Sequence, residues 1–512
     1  MTFESTTVDD LYEIANRLGL DISTTDMDYY RTVVEESLSE LERVQELEPP
    51  SLRPTQRQYR TEREGNRPDE SENPHNAWIT RCDVGADTSG ALDGTTVGLK
   101  DSIALAGVEM TCGSRLLEGY VPESDATVVS RLLAAGARIT GKCNMENFAF
   151  SASSDTSDFG AVTNPAAPAR IAGGSSSGSA AAVAAGDVDV ALGCDQGASV
   201  RVPASCCGIV GLDPTTGLVP YTGIFPMDPT IDSVGPMART VHGVAEVLEV
   251  IAGVDGLDPR QGPAVQTADY TAAVADDIQD LEIGVLQEGF EGPDADDRVL
   301  ETTRDALDTY ERLGANTTPV SVPLHDDAVS VGFTIWAYGA LKVFRNGGQG
   351  VHLDGWYDTD LMAAFAERRD TRTDGLSEEG KATLLAMEHL ANRYGGATYG
   401  RAQNLRYRLR RELDDLFSTV DVLALPTMPV LPFEIEDDLA DTERTSRTIT
   451  LCRNTATSSL TNHPSISVPY GSVDGVPVGL LLIADHYDEQ TLLATANALL
   501  ETTTEAPHRE PL

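Results

Sequence analysis

Lysine is almost absent from this chain of 512 residues: only four of its 37 basic residues are lysines. One of the four, Lys100, stands in the short apolar stretch 97–103 between glycine, valine, leucine and isoleucine. A chain that has replaced nearly all its lysines has not kept this one for general solubility. The sequence therefore indicates a chemical role for the amine of Lys100.

Long apolar runs and metal-binding spacings are also missing. No run reaches the roughly 18 apolar residues that cross a bilayer, and the N-terminus lacks the basic and apolar regions of a secretory signal. The seven cysteines are scattered, and neither they nor the eight histidines show zinc-type spacing. We therefore expect a cytoplasmic protein with reduced thiols, no membrane partner, no metal and no cofactor.

Positive charge is scarce relative to negative charge. The chain has 37 basic and 81 acidic residues, which give a net charge of −44. Such a surface repels phosphates, so we expect no nucleic-acid partner. The acid is spread along the chain, with runs at 294–297 and 434–438. Our interpretation is adaptation to the cytoplasm of an extreme halophile, where the Debye length falls to about 3 Å at molar salt. The alternative is an acidic surface for a basic partner.

The first 76 residues differ in pattern from the rest. Apolar residues at helical spacing in 7–19 and 25–46 predict two amphipathic helices, and 49–76 is a polar, proline-containing connector. We predict an N-terminal helical extension and linker at 1–76 and a catalytic domain at 77–512. The N-terminal helices are a candidate homodimer element.

Strands and helices alternate after residue 77, which predicts an α/β core. The segment 335–400 gives no clear pattern. Strands are predicted at 95–99, 137–141, 188–192, 281–286, 420–425, 465–468 and 478–483, and helices at 125–135, 240–252, 298–313, 399–416 and 491–501.

A glycine–serine loop at 173–178 has three interpretations. A flexible linker is disfavoured because the loop runs directly into a small-residue helix and then a buried strand. A G-x-S-x-G elbow would make Ser176 a nucleophile, but no convincing strand leads into it. The third interpretation joins the loop to 191–204, where a strand ends in small residues that present Ser199. Backbone N–H groups of 196–199 can converge there and form an oxyanion hole.

With these motifs the chain resembles the amidase signature family of serine hydrolases, which use a Ser–cis-Ser–Lys triad. Ser199 follows Ser175 by 24 residues and Lys100 by 99 residues, which are the family's spacings. Asp195-Gln196 and the N-terminal extension are most similar to the monoamide amidases of nitrile-degrading pathways. Further matching segments are 141–148, 164–165, 210–212, 217–223, 232–239, 463–469 and 475–480.

The resemblance implies an amidase-signature fold: a central mixed β-sheet covered by helices on both faces, with the N-terminal α-helical extension added. It also implies that Ser199 is the nucleophile, Ser175 relays its proton after a cis peptide bond, and Lys100 is the base. Burial disfavours the charged form of a lysine and so makes it a usable base. The oxyanion hole would consist of the backbone N–H groups of Gln196, Gly197, Ala198 and Ser199.

Other residues receive supporting roles from the resemblance. Asp195 and Arg201 would brace the nucleophile loop, and the side chain of Gln196 would face the substrate amide. Lys142 and Asn144 would be structural. His463 is interpreted as a packing residue at a strand end, and the acyl pocket is predicted from 335–400, 222–227 and 454–459.

Two departures from the family pattern bear on function. Ala198 replaces a usual glycine, and Asp213 replaces a usual lysine. We predict an amidase that hydrolyses a small-molecule amide to the acid and ammonia through an acyl-enzyme. One alternative is the glutaminase (A) subunit of a tRNA-dependent amidotransferase, which the N-terminal extension and Gln196 disfavour. The other is a non-catalytic binding protein in which Ala198 disables the oxyanion hole.

Overall fold

The computed structural model describes residues 6–47, 63–85, 89–292, 294–436 and 439–502. The chain divides into two compact units, Met1–Leu52 and Arg53–Leu512. The predicted boundary after residue 76 lies later, because residues 65 and 66 already pair with a strand of the second unit. The part of the predicted connector at 49–62 lies outside the described residues, and the domain division remains a prediction.

The first unit contains the two helices that the apolar spacing predicts, α1 (Val8–Leu18) and α2 (Met27–Gln45). Thr7 begins α1 with a capping box, in which its hydroxyl accepts from the N–H of Asp10 and the Asp10 carboxylate accepts from the N–H of Thr7. Gly19 ends the helix in the left-handed conformation. Local sequence therefore accounts for both ends of α1.

The second unit is built on one mixed sheet, in which twelve strands are paired within the described part of the chain. Their order across the sheet is β1-β2-β4-β3-β5-β7-β6-β11-β12-β10-β8-β9. The strands are β1 (Gly65–Asn66), β2 (Trp78–Val84), β3 (Thr96–Lys100), β4 (Arg138–Cys143), β5 (Val190–Asp195), β6 (Val210–Asp213), β7 (Ser233–Ala238), β8 (Glu282–Leu286), β9 (Asn316–Val320), β10 (Val422–Pro426), β11 (Ser465–Val473) and β12 (Val476–Ala484).

Helices connect these strands. They are α3 (Thr127–Ala134), α4 (Ser177–Ala185), α5 (Arg201–Cys207), α6 (Val241–Ile251), α7 (Tyr270–Ala273), α8 (Asp297–Arg312), α9 (His325–Asn346), α10 (Thr359–Thr371), α11 (Glu378–Tyr394), α12 (Ala397–Leu416), α13 (Asp441–Cys452), α14 (Ala456–Thr461) and α15 (Glu489–Thr502). None of the helices in the described ranges is both long enough and apolar enough to cross a membrane.

Helices cover both faces of the sheet, as the sequence predicts. Successive side chains of a strand point to opposite faces, and on β5 Leu192 joins an apolar cluster with α3 and α6, whereas Ala191 joins a cluster with α4 and α5. On β12, Leu482 and Leu481 divide in the same way, the latter packing with α9, α12 and α14. The predicted mixed α/β fold is confirmed.

The sequence analysis did not predict the strands β1, β2, β6, β7 and β9. β7 contains Pro236, which lies opposite Leu192 in the middle of the sheet, although a proline argues against a central strand. The segment 335–400, which had no clear pattern, forms the end of α9 and the helices α10 and α11.

Candidate active site

The site lies where β3 and β5 end side by side. The two strands are parallel neighbours, so their carboxyl ends meet at one edge and bring Lys100, the last residue of β3, close to the loop that follows Asp195. The helix α4 begins immediately after Ser175 and Ser176. Gly178 permits this arrangement, because an added Cβ would overlap backbone atoms of Ala77 and Asn144.

Lys100 and Ser175 are in direct contact. The Lys100 Nζ lies 2.7 Å from the Ser175 Oγ and 3.2 Å from the carbonyl oxygen of Cys194. Both side chains are fully buried, and burial lowers the pKa of Lys100. Met145 and Phe148 are among the residues that line a cavity of about 270 Å³ beside the amine. This environment favours the neutral amine that a general base needs.

Ser199 lies in the wall of an open cleft. The N–H of Ser176 donates to the carbonyl oxygen of Ser199 at 3.2 Å, which ties the two serine loops together. The peptide bond between Gly174 and Ser175 is cis. The rival nucleophile Ser176 is fully buried, and its hydroxyl donates to the carbonyl oxygen of Cys194. The geometry therefore favours Ser199 over Ser176.

The predicted oxyanion hole is altered at one position. The N–H of Gly197 donates to the Asp195 carboxylate at 2.8 Å, so it does not point to a substrate oxygen as the sequence predicted. Within the described part of the chain, the N–H groups of Gln196, Ala198 and Ser199 have no acceptor. Ala198 does not adopt a positive φ, so its methyl group causes no left-handed strain.

Asp195 and Arg201 form the buried pair that was expected to brace the nucleophile loop. Arg201 Nη2 and Nε donate to the two carboxylate oxygens of Asp195 at 2.9 and 3.1 Å. Burial opposes ionisation of Asp195, but the Arg201 charge and hydrogen bonds hold its pKa below the usual value. Arg201 also donates to the hydroxyls of Ser458, Ser459 and Ser465. The loop is therefore held to α14 and β11.

Asp213 lies at the edge of this pair, with one carboxylate oxygen 3.5 Å from Arg201 Nη2. Burial and the negative charge of Asp195 raise its pKa to about 7. Its other oxygen has no hydrogen-bond partner among the described residues. The aspartate that replaces a usual lysine is thus poorly accommodated.

The remaining predicted residues lie near the site in supporting positions. Gln196 Nε2 donates to the Tyr221 hydroxyl and to Asp232, which anchors an amide side chain that also lines the cleft. Lys142 forms a fully buried ion pair with Asp101 at 3.1 Å. The Asn144 Nδ2 donates to the carbonyl oxygen of Asn76, and its Oδ1 accepts from the Ser157 hydroxyl. These contacts agree with the structural roles predicted for Lys142 and Asn144.

The cleft in front of Ser199 has a volume of about 880 Å³ and is mainly apolar. Predicted segments 335–400 and 454–459 contribute to it, whereas 222–227 does not. The walls that sequence analysis missed come from α9 and α13, whose residues carry no motif. The lining side chains that shape it are Phe150, Val329, Phe333, Trp336, Glu379, Thr383, Thr445, Thr448, Ile449, Ala456 and Leu460.

Glu379 is the one carboxylate among the described lining residues. It pairs with Arg444 Nη1 at 3.2 Å, and Arg444 Nε in turn contacts Asp155 at 3.0 Å. The other side chains that the structure describes along this cleft are apolar or carry a hydroxyl, thiol or amide group. The Glu379 carboxylate, which is paired with Arg444, is therefore the charged group that a substrate would meet there.

The fold and this serine–lysine site define a hydrolase of the amidase type, and comparison with known proteins agrees. The family profile described as Amidase matches residues 74–493. The chain therefore belongs to the amidase signature family and is an enzyme that acts on amide C–N bonds.

Proteins of two different names are similar to this chain, amidotransferase A subunits and an amidase. The chain is 42% identical over 426 residues to the A subunit of a glutamyl-tRNA(Gln) amidotransferase from Halobacterium salinarum, covering 83% of this chain and 99% of that protein. It is 40% identical over 436 residues to an enantioselective amidase from Rhodococcus rhodochrous, covering 84% of each. The crystal structure of the glutamyl-tRNA(Gln) amidotransferase A subunit from Thermotoga maritima superposes with a TM-score of 0.71 at 30% identity, covering 84% of this chain and 89% of that one.

These relatives contradict the sequence-based prediction about partners. That prediction was a small-molecule amide substrate, no nucleic acid, no membrane and a candidate homodimer, with no different partner protein. Several similar proteins are instead named as one subunit of an amidotransferase. The prediction failed because it was drawn from net charge and motif spacing, and neither reports on the surface that a partner protein covers.

Proposed function

We propose that this protein hydrolyses a carboxamide through an acyl-enzyme on Ser199. Neutral Lys100 accepts the proton of Ser175, and Ser175 accepts the proton of Ser199 as its oxygen attacks the amide carbonyl. The N–H groups of Gln196, Ala198 and Ser199 stabilise the oxyanion. The relayed proton goes to the leaving nitrogen, and ammonia departs. Water then releases the carboxylic acid. The 2.7 Å contact between Lys100 and Ser175 carries this proposal.

As the amide we propose glutamine, with the chain acting as the A subunit of a glutamyl-tRNA(Gln) amidotransferase. The supporting observation is the match to proteins of that name over 99% of their length. The Glu379 carboxylate in the wall of the cleft gives the ammonium group of glutamine a negative charge to meet. The proposal includes a cytoplasmic location. It also includes that the other parts of the amidotransferase supply the acceptor of the ammonia.

A second candidate substrate is a carboxamide with an apolar acyl group. The aromatic side chains of Phe333 and Trp336, with Ile449 and Leu460, form a wall that suits such a group. The similarity in length and sequence to the enantioselective amidase also favours it. The two candidates share the chemistry at Ser199 and differ only in what the cleft binds.

Ammonia release separates the two candidates. We would measure kcat/KM for glutamine and for a racemic arylpropionamide in multimolar KCl, with wild type, Glu379→Gln and Phe333→Ala. If glutamine is the substrate, we expect Glu379→Gln to lower kcat/KM for glutamine at least tenfold and Phe333→Ala to change this kcat/KM little. Efficient turnover of the arylpropionamide alone, lowered by Phe333→Ala, would replace glutamine by the second candidate. Release unaffected by Ser199→Ala would refute both.

A further inference from the structure

Four metal-ligating side chains from three separate segments meet at one end of the sheet. Asp414 lies in the last turn of α12, His463 precedes β11, and Asp485 and His486 follow β12. We call Asp414, His463, Asp485 and His486 the His–Asp cluster. Its residues do not line the cleft at Ser199, so the proposed hydrolysis leaves the cluster unexplained.

Four of the distances between ligand atoms in the cluster are close to those of a tetrahedral site. His463 Nε2 lies 3.3 Å from Asp414 Oδ1 and 3.7 Å from Asp485 Oδ1, and His486 Nδ1 lies 3.6 Å from each of the same two oxygens. One ligand atom from each residue can be taken so that all lie within 4.8 Å of one another. Zinc bonds of about 2.0–2.1 Å in a tetrahedron separate the ligand atoms by about 3.3 Å.

His463 supplies independent evidence that the cluster binds something. Its side chain is completely buried, and neither ring nitrogen forms a well-aligned hydrogen bond with the described residues, although Nε2 lies 3.3 Å from a carboxylate oxygen of Asp414. An unsatisfied buried polar group costs about 1–3 kcal/mol. A ligand bond to Nε2 would satisfy one of these two nitrogens, whereas the packing role predicted from sequence satisfies neither.

The second histidine is oriented for ligation. His486 Nε2 lies 3.0 Å from the carbonyl oxygen of Thr461, and because a carbonyl only accepts, Nε2 must carry the hydrogen. The neutral ring then directs its lone pair on Nδ1 towards the carboxylates. Hydrogen bonding of the other ring nitrogen to a carbonyl is the usual way in which proteins fix a metal-binding histidine.

The charge of the cluster also favours a cation. Two carboxylates face the same point, and among the described residues their ion-pair partners are His463 and His486, which carry a charge only when protonated. Their side chains are 43% and 57% exposed, which leaves an entry path from solvent. A divalent ion would neutralise both carboxylates.

We propose that the His–Asp cluster binds one divalent transition-metal ion of the zinc class. The donor set of two imidazole nitrogens and two carboxylate oxygens suits zinc or cobalt better than calcium, which prefers oxygen alone. The ion has a structural role, because it joins the end of α12 to the ends of β11 and β12. The sequence predicted no metal, since these four ligands do not form a zinc-type motif.

The metal would also stabilise the position of the nucleophile loop, although it does not contact that loop. His463 is separated by one residue from Ser465, whose hydroxyl accepts from Arg201, and Arg201 holds Asp195 and the nucleophile loop. The cluster residues are thus positioning groups for the start of β11. They touch no reacting atom.

Cobalt titration of the full-length protein tests this proposal. Chelator-treated wild type in multimolar KCl should bind one Co²⁺ per chain and develop the strong visible bands of a tetrahedral ion, without the near-ultraviolet band of a thiolate ligand. Zinc should displace the cobalt and raise the Tm. His486→Gln and, separately, Asp485→Asn should abolish the tetrahedral spectrum, and His242→Gln, an exposed histidine paired with Glu246 on α6, should keep it.

Two results would overturn the proposal. One is wild type that shows only the weak spectrum of hydrated cobalt and no zinc-dependent change in Tm. The other is a tetrahedral spectrum that survives in both His486→Gln and Asp485→Asn. The wild-type titration depends on no variant, so a variant that fails to fold does not leave the question undecided.

Discussion

The chemistry at the residue scale depends on one amine being neutral. Lys100 lies without solvent contact against the hydroxyl of Ser175, and burial lowers its pKa. A neutral amine has a lone pair that accepts the serine proton, whereas a guanidinium does not lose its charge in proteins. The basic residue at position 100 therefore has to be lysine, in a chain that otherwise uses arginine.

Lys100→Arg and Lys100→Met should both lower kcat by about 10²–10⁴-fold, the usual contribution of general base catalysis. In wild type, kcat/KM should rise with pH and level off below the pKa of an ordinary lysine, because activity follows the deprotonated amine. Rates of ammonia release between pH 5 and 9 measure both. Lys381→Arg, at an exposed pair with Glu378, is the matched control. Substantial activity in Lys100→Arg would refute the base assignment.

Asp213 should make folding stability depend on pH. Its pKa is about 7 in the folded protein and about 4 when unfolded, so the native state holds the extra proton between these values. Its contribution therefore favours folding at low pH and declines as pH rises from about 4 to about 7. Asp213→Asn should raise the Tm relative to wild type more at pH 8 than at pH 5.

Thermal unfolding of wild type, Asp213→Asn and the exposed control Asp474→Asn measures this difference. Asp474 is 77% exposed, so its substitution should shift the Tm equally at both pH values. A Tm difference between wild type and Asp213→Asn that stays constant from pH 5 to pH 8 would contradict the assigned pKa.

Among the elements, a buried arginine holds the nucleophile loop to its neighbours, in addition to the contacts of Gln196 and of the Ser176 N–H. Arg201 begins α5, binds Asp195 at the end of β5, and reaches the carbonyl oxygen of Thr455 beside α14 and the hydroxyl of Ser465 on β11. One side chain thus joins three segments that are far apart in sequence. This explains why the loop keeps its shape although its residues are small.

Arg201→Met should destabilise the protein by about 3–5 kcal/mol, because it leaves the Asp195 carboxylate buried without its partner. Urea unfolding at constant KCl measures the free energy. Arg408→Met, which removes an exposed pair with Glu412 on α12, is the control and should leave that free energy nearly unchanged. Equal effects of the two substitutions would show that the buried pair is not the brace described here.

Local sequence predicts elements best where periodicity is strong. The strands β3, β5 and β12 and the helices α6, α8 and α15 lie within a few residues of their predicted bounds. β7 was missed because Gly235 and Pro236 argue against a strand, although antiparallel pairing with β5 enforces one. α10 has six consecutive apolar residues at 361–366 followed by four charged residues at 367–370, so no apolar stripe at helical spacing indicated a helix. In both cases the tertiary context, which the local sequence does not contain, determined the structure.

At the scale of the whole molecule, the sequence could predict those site residues that lie in recognisable motifs, but not those that only folding brings together. Lys100, Ser175 and Ser199 belong to motifs with fixed spacing, so the sequence could propose them as the catalytic residues. Phe333, Glu379 and Ile449 lie in helices without motifs, and only folding brings them to the cleft. The His–Asp cluster was missed for the same reason, since Asp414 is separated from His463 by a strand and two helices.

From the net charge of −44 we expect the stability of the whole molecule to depend on salt. With few basic residues, repulsion between carboxylates is unscreened in dilute buffer and falls as the Debye length shrinks to about 3 Å in molar salt. We predict that the Tm rises steeply with KCl and that dilution to low salt unfolds the protein and abolishes activity. A Tm that is the same in dilute buffer and in multimolar KCl would refute halophilic adaptation.

The central claim, that Ser199 forms the covalent intermediate, can be tested with a fluorophosphonate that labels activated serines. Intact-mass measurement and peptide mapping would compare wild type with Ser199→Ala and Ser176→Ala. The account predicts one adduct per wild-type chain, located on Ser199, absent in Ser199→Ala and retained in Ser176→Ala. An adduct on Ser176, or no adduct on folded wild-type protein that releases ammonia from an amide, would contradict it.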